Sequence, residues 1–146
     1  MTRVEHTVVI NRPINDILEY VSNVGNLTSW AENAVEAEQV SEGVLEVGST
    51  YRIVNKVMGR RLEHTLEVTE YDPAKRYSAR SISGPFPMGL TYTVEAMGNS
   101  TRLHVLSEAD LGGLLGMFGR LLNRKAQKQI ESDHAKLKNL LESSPS

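Results

Sequence analysis

The chain has 146 residues, 40% of them hydrophobic and 23% charged, with 16 basic against 18 acidic side chains and no cysteine. A chain of this length buries about two-thirds of the surface it would expose unfolded, enough for a core without covalent staples, and the absent thiol excludes disulfides, a cysteine nucleophile and thiolate-held metal centres. A net charge of −2 lacks the basic excess gathered by nucleic-acid-binding domains, so no nucleic acid is expected among its partners.

The opening Met1 to His6 carries an acid within five residues and no apolar run of a secretory leader. No later run approaches the roughly 18–20 apolar residues of a transmembrane segment. With cysteine absent, this reads as a cytoplasmic protein. Val4, His6, Val8 and Ile10 alternate with Glu5 and Thr7, the period of a half-buried strand. Pro13 suits the first position of a helix, and Ile14, Ile17, Leu18 and Val21 follow at helical spacing to about Asn23. The 23–26 stretch breaks that helix, and Leu27 to Ala31 reads as a second, short one with Trp30 on its buried side.

From about Val35 to Asp110 the period changes to runs of 7 to 12 β-prone residues, separated by turn signals at 41–43, 58–59, 72–74, 84–87 and 98–99. Six strands result, seven with the first, and the spacers leave no room for crossover helices, so an antiparallel meander is expected. Beyond Asp110 an apolar stripe of Leu114, Leu115, Phe118, Leu122, Ala126, Ile130, Leu137 and Leu141 predicts one long helix to about Glu142. At 1.5 Å per residue it is roughly 45 Å long and is the one element able to cover the sheet's apolar face. Residues 1–142 are thus expected to form one domain and 143–146 a disordered tail.

This order of elements resembles the helix-grip fold of the START-like (SRPBCC) superfamily, which includes the birch pollen allergen, lipid-transfer START domains and polyketide cyclase/dehydrase proteins. Val8-Val9-Ile10-Asn11-Arg12-Pro13 leading to Tyr20-Val21-Ser22-Asn23 and Trp30, the turns at 43–48, 72–73 and 98–99, and the final strand from Ser100 resemble the polyketide cyclase/dehydrase branch. The resemblance implies an α+β fold, a curved seven-stranded antiparallel sheet with two short helices after its first strand and a long C-terminal helix across it. It also implies a small hydrophobic ligand, lipid or metabolite, held between sheet and helix.

Alternate hairpins of a meander lie at one end of the sheet, so the turn at 58–60, the loop at 83–88 and the strand exit near Asp110 should form a mouth. Phe86 either fringes that mouth or folds down as a plug. Alternation turns Leu62, His64, Leu66 and Val68 inward, together with Tyr92, while His104 faces solvent. In strand 51–57 the two charges Arg52 and Lys56 tip the choice toward Tyr51 and Asn55 inside. The ligand-lining set is then His6, Trp30, Asn55, His64, Tyr77, Ser81, Phe86, Met88, Tyr92, Leu114 and Phe118, with Tyr51 and Ser107 on the same wall. Each buried polar group costs about 1–3 kcal/mol if unpaired, so either protein neighbours or ligand atoms meet them.

The glycines at 112, 113, 116 and 119 make either a deformable start to the long helix or one packed tightly on the strands. His6, His64, His104 and His134 lack metal-ligand spacing, and no nucleotide or serine-nucleophile motif appears, so neither metal nor cofactor is expected. His134 falls on the rim of the helical stripe, where a half-buried structural role is expected. Arg120, Arg124, Lys125, Lys128, Lys136 and Lys138 lie off the stripe, as a solvated face or for peripheral contact with an anionic membrane or partner. Function divides between holding a hydrophobic metabolite and a cofactor-free cyclase or aromatase performing enolisation, aldol closure and dehydration. In the second, His64 is the candidate base and Tyr92 and Tyr51 the candidate donors.

Overall fold

The computed structural model describes residues 2–111 and 119–143. Strand β1 (Thr2–Ile10) is followed by α1 (Ile14–Ser22), a 3-10 turn (Val24–Asn26) and α2 (Leu27–Trp30). Strands β2 (Ala34–Gln39), β3 (Thr50–Val57), β4 (Arg60–Asp72), β5 (Arg76–Ser83), β6 (Met88–Met97) and β7 (Ser100–Ala109) come next, and α3 spans Gly119–Ser143. The glycine-rich segment with Leu114, Leu115, Met117 and Phe118, and residues 144–146 of the expected tail, lie outside the described residues. Ser143 itself closes the last turn of α3.

Pro13 caps α1 from outside in extended conformation (φ −62°, ψ 152°) rather than opening its first turn. The break at 23–26 is a 3-10 turn, held by the Asn26 side-chain amide donating to the Tyr20 carbonyl at 3.2 Å. Ile17, Leu18 and Val21 are buried where α1 crosses β5, β6 and β7.

All strand pairs are antiparallel, in the order β1-β7-β6-β5-β4-β3-β2. Bulges between Ala34 and Glu36, Thr65 and Leu66, and Val68 and Glu70 bend the strands, and the sheet curls. This is the α+β helix-grip arrangement, a curved seven-stranded wall with a long C-terminal helix against it. Directly paired residues share a face, so the register strings inward side chains into rows. His6, Val105, Tyr92 and Tyr77 form one, and Val4, Ser107, Leu90, Ala79 and Val68 the next. Ser81, Leu66 and Tyr51 follow, then His64 with Ile53, with Asn55 and Leu62 one row nearer the β3–β4 turn.

Helix α3 runs along β1 and against α2, burying Ile130, His134, Leu137 and Leu141 at the four- and three-residue spacing of one face. Its last turns are pinned to the β1–α1 corner. The Lys138 ammonium donates to the Val9 carbonyl at 2.6 Å, and Glu142 accepts the Asn11 N–H at 2.8 Å. Tyr51 and Ile53 are buried as alternation predicts, but Val54 on the opposite face is buried too. Its register partners Glu36 and Glu63 are drawn together by the Arg52 guanidinium, which roofs the valine on the convex side; Arg61 also pairs with Glu36.

Candidate functional site

Pairing of β4 with β5 starts at Thr65 opposite Ser83, so β4 residues 60–64 extend past β5 with β3 alone beside them. The loop at 84–87 folds back over this overhang onto His64. Gly84 adopts φ +147°, and a Cβ there would stand 2.4 Å from the His64 ring; glycine is what lets the backbone come so close. The Phe86 carbonyl lies 3.1 Å from His64 Nε2, and the Phe86 ring stands edge-on to the imidazole with centroids 4.8 Å apart. Ser81 Oγ accepts the Met88 N–H (2.9 Å), and the Asp110 N–H donates to the Pro87 carbonyl (2.9 Å), joining the loop to the exit of β7.

His64 is 1% exposed. A carbonyl oxygen only accepts, so Nε2 carries the proton, and burial holds the ring below the usual histidine range against the opposing pull of the Phe86 bond. The neutral ring then presents a bare lone pair at Nδ1. That atom is sealed from solvent and has no hydrogen-bond partner among the described residues.

A second polar centre lies deeper. His134 Nδ1 is 2.7 Å from the Ile130 carbonyl and carries the proton by the same reasoning, so Nε2 is an acceptor and receives the Tyr92 hydroxyl proton across 3.1 Å. Burial moves His134 down to about 4, with His6 contributing a smaller push in the same direction and the Ile130 bond resisting. Burial pushes Tyr92 far above its ordinary value and Tyr77 up to about 12. Tyr77 stacks parallel to Tyr92 at 6.3 Å, and the pKa of Tyr51, next to Tyr77, is likewise raised, first by burial. Trp30 stands edge-on to His134 at 5.0 Å, and its indole N–H is buried with no partner among the described residues.

The sequence-predicted residues therefore divide. Tyr51, Tyr77, Tyr92 and Trp30 gather with His134, and His6 stands at their margin, half-buried, its ring 6.4 Å from that of His134. His64, Phe86, Ser81 and Met88 gather where the 84–87 loop folds onto the sheet. Ser81, Met88, Asn55 and Ser107 are half-buried rather than fully interior, and Leu114 and Phe118 lie outside the described residues. His104 is on the outer face, 2.8 Å from Thr7 Oγ1. From the His64 row to the Tyr92 row is three two-residue steps, about 20 Å at 3.3 Å per residue, so base and donor do not converge on one atom. Tyr92 also has its proton committed to His134 and offers a ligand only oxygen lone pairs. His134, expected half-buried on the stripe's rim, is 3% exposed; its spacing from Ile130 and Leu137 was the signal, since those three positions share one helical face.

Among the described residues no three His, Asp or Glu side chains are placed to hold a metal ion, and no helix is long and apolar enough to cross a membrane.

Residues 1–142 match the family model described as polyketide cyclase / dehydrase and lipid transport. No curated protein matches the sequence. Among solved structures, a protein from Thermus thermophilus is 23% identical, with 97% of this chain and 99% of that one covered and a TM-score of 0.81. A START superfamily protein from Mycobacterium smegmatis is 18% identical over 97% and 98%, with a TM-score of 0.82. The Zhui aromatase/cyclase from Streptomyces sp. R1128 is 20% identical over 94% and 88%, with a TM-score of 0.65. At these identities the likeness establishes the fold.

Proposed function

The chain belongs to the polyketide cyclase/dehydrase and lipid transport family, and we propose that it holds a small hydrophobic metabolite between the inner face of its sheet and α3. The observation that carries this reading is the pair of orphaned polar atoms on an otherwise apolar wall, His64 Nδ1 and Trp30 Nε1. They lie on the same side of the sheet as Leu66, Val68, Leu103, Val105 and Leu137. An unpaired buried donor or acceptor costs about 1–3 kcal/mol, and neither atom stabilises the ligand-free fold. An apolar wall with a few polar points is the usual composition of a small-molecule site.

A second reading, a cyclase or aromatase that enolises a poly-keto chain for aldol closure and dehydration, draws on one observation, the free lone pair of a neutral His64. It needs a donor near the developing oxyanion. The Tyr92 proton is held by His134, about 20 Å along the sheet from His64. Holding a ligand asks less of these residues and is the reading preferred.

Trp30 is the only tryptophan and a built-in reporter. Titration with apolar fluorophores and fatty alcohols should change its emission saturably, and native mass spectrometry of freshly purified protein should show a bound lipophile. No saturable change with any apolar probe, and no co-purified molecule, would overturn the binding reading. Conversion of a poly-keto substrate that His64→Ala abolishes while binding persists would favour the enzyme.

A further inference from the structure

We propose that the ligand's polar end is a hydroxyl that donates a hydrogen bond to His64 Nδ1, so that the site selects apolar alcohols, phenols or enols over the matching ethers and carboxylates. This rests on the proposed binding of a hydrophobic metabolite and names the class of that ligand.

The inference follows from proton bookkeeping on one ring. Nε2 faces a backbone carbonyl at 3.1 Å, which has no proton to give, so the ring proton is on Nε2 and Nδ1 can only accept. The bond also fixes the ring's orientation, because turning the imidazole over would aim a carbon at that carbonyl. Gly84 packed against the ring leaves little room to rotate it. Nδ1 is closed to water and has no partner among the described residues, so the acceptor is unsatisfied until something else donates to it. A carboxylate or ketone oxygen brought to this lone pair would meet repulsion, and an ether would leave it unpaired. A hydroxyl satisfies it.

The path to the atom is compatible with the tautomer. The Phe86 ring, half-buried and edge-on to the imidazole, covers His64 by its side chain, whereas the carbonyl that sets the tautomer belongs to the backbone. Rotating the phenyl side chain leaves the backbone bond, and with it the tautomer, unchanged. No Asp or Glu side chain is bonded to His64, so nothing on the protein competes for Nδ1 among the described residues.

The test is a matched probe set on two apolar skeletons: 2-naphthol, 2-methoxynaphthalene and 2-naphthoate, and 1-dodecanol, dodecyl methyl ether and dodecanoate, each titrated into the full chain at pH 7.5. On the skeleton that fits, the hydroxyl compound should bind about tenfold tighter than its ether, the size of one net hydrogen bond, and tighter than the acid. The ratio of alcohol to ether affinity should fall to about one in His64→Leu. Should that variant not fold, 15N NMR of histidine-labelled wild type replaces it: the His64 Nδ1 resonance should shift with alcohol and not with ether. Equal affinity for alcohol and ether, tightest binding of the acid, or an unmoved Nδ1 signal would overturn the hydroxyl assignment and leave hydrophobe binding standing. Failure of all six probes to bind would instead overturn the binding reading beneath it.

Discussion

Gly84 and His64 occupy each other's space so closely that one methyl group decides the geometry. Gly84→Ala places a Cβ 2.4 Å from a ring carbon at a φ of +147°, a conformation that side chains avoid. Either the loop lifts or the imidazole turns, and the variant should lose about 1–3 kcal/mol in urea denaturation; a neutral result would show the loop does not rest on the ring. The Tyr92–His134 bond is the other place where two side chains depend on one another. Tyr92→Phe leaves His134 Nε2 unpaired, and His134→Leu leaves a buried hydroxyl without an acceptor, at about 1–3 kcal/mol each. The double variant orphans neither atom, so its loss should fall short of the summed singles by at least about 0.5 kcal/mol. Strict additivity would mean that the 3.1 Å contact carries no coupling.

The β3–β4 hairpin turns through Met58 at φ 52° and Gly59 at φ 80°, two successive positive angles that define a turn favouring Asn-Gly. Methionine is poorly suited there, and at 80% exposure it gains no packing in return. Met58→Asn should raise stability by about 0.5–1 kcal/mol in thermal or urea unfolding, and a loss instead would show that the tip makes contacts that matter. Elements of this kind were legible in sequence. The Met58-Gly59 and Gly98-Asn99 signals fall between observed strands and Asp72-Pro73 at the end of β4, and period-two alternation placed His64, Tyr92 and His104 on their observed faces, because a pleat leaves each residue two choices. Val54 escaped that logic, since an arginine bridge over its flanking glutamates buries a residue that alternation turns outward. The partner of Tyr92 escaped for another reason. A helix stripe drifts around its axis, and only the docking of α3 on β1 and α2 decides that residue 134 meets the sheet rather than skirting it. The latch on Nε2 comes from a loop carbonyl, a group every residue carries and no sequence pattern marks.

Across the whole molecule the inward polar groups fall into two centres, the His64 acceptor under the 84–87 loop and the Tyr92–His134 pair, with the Leu66 and Val68 rows between them. Two of the buried groups are histidines held below their ordinary range, and this makes the fold acid-sensitive above the carboxylate region. Burial carries His134 from 6.5 in the unfolded reference to about 4 in the folded chain, and His64 moves in the same direction. Between those two values the unfolded chain binds the extra proton, so a fall in pH favours unfolding. His134 therefore leaves stability unchanged above about pH 6.5, lowers it progressively from there to about 4, and has no further effect below. At 1.36 kcal/mol per unit, the step from pH 7.5 to 5.0 should remove roughly 2 kcal/mol through this one residue. Glu36 and Glu142 are held below the usual carboxylate value by their arginine and lysine partners, so their contribution is lost below the chosen window, whereas Asp133, raised by burial, adds stability as pH falls and is common to wild type and variant, so the comparison between the two reads His134. In His134→Gln, which keeps an acceptor for the Tyr92 hydroxyl and cannot titrate, most of that loss should disappear, measured as urea midpoints at the two pH values. If wild type and variant lose the same stability over this interval, His134 is not the buried neutral base that its bonds to Ile130 and Tyr92 describe, and the tautomer that fixes the direction of the Tyr92 proton fails with it.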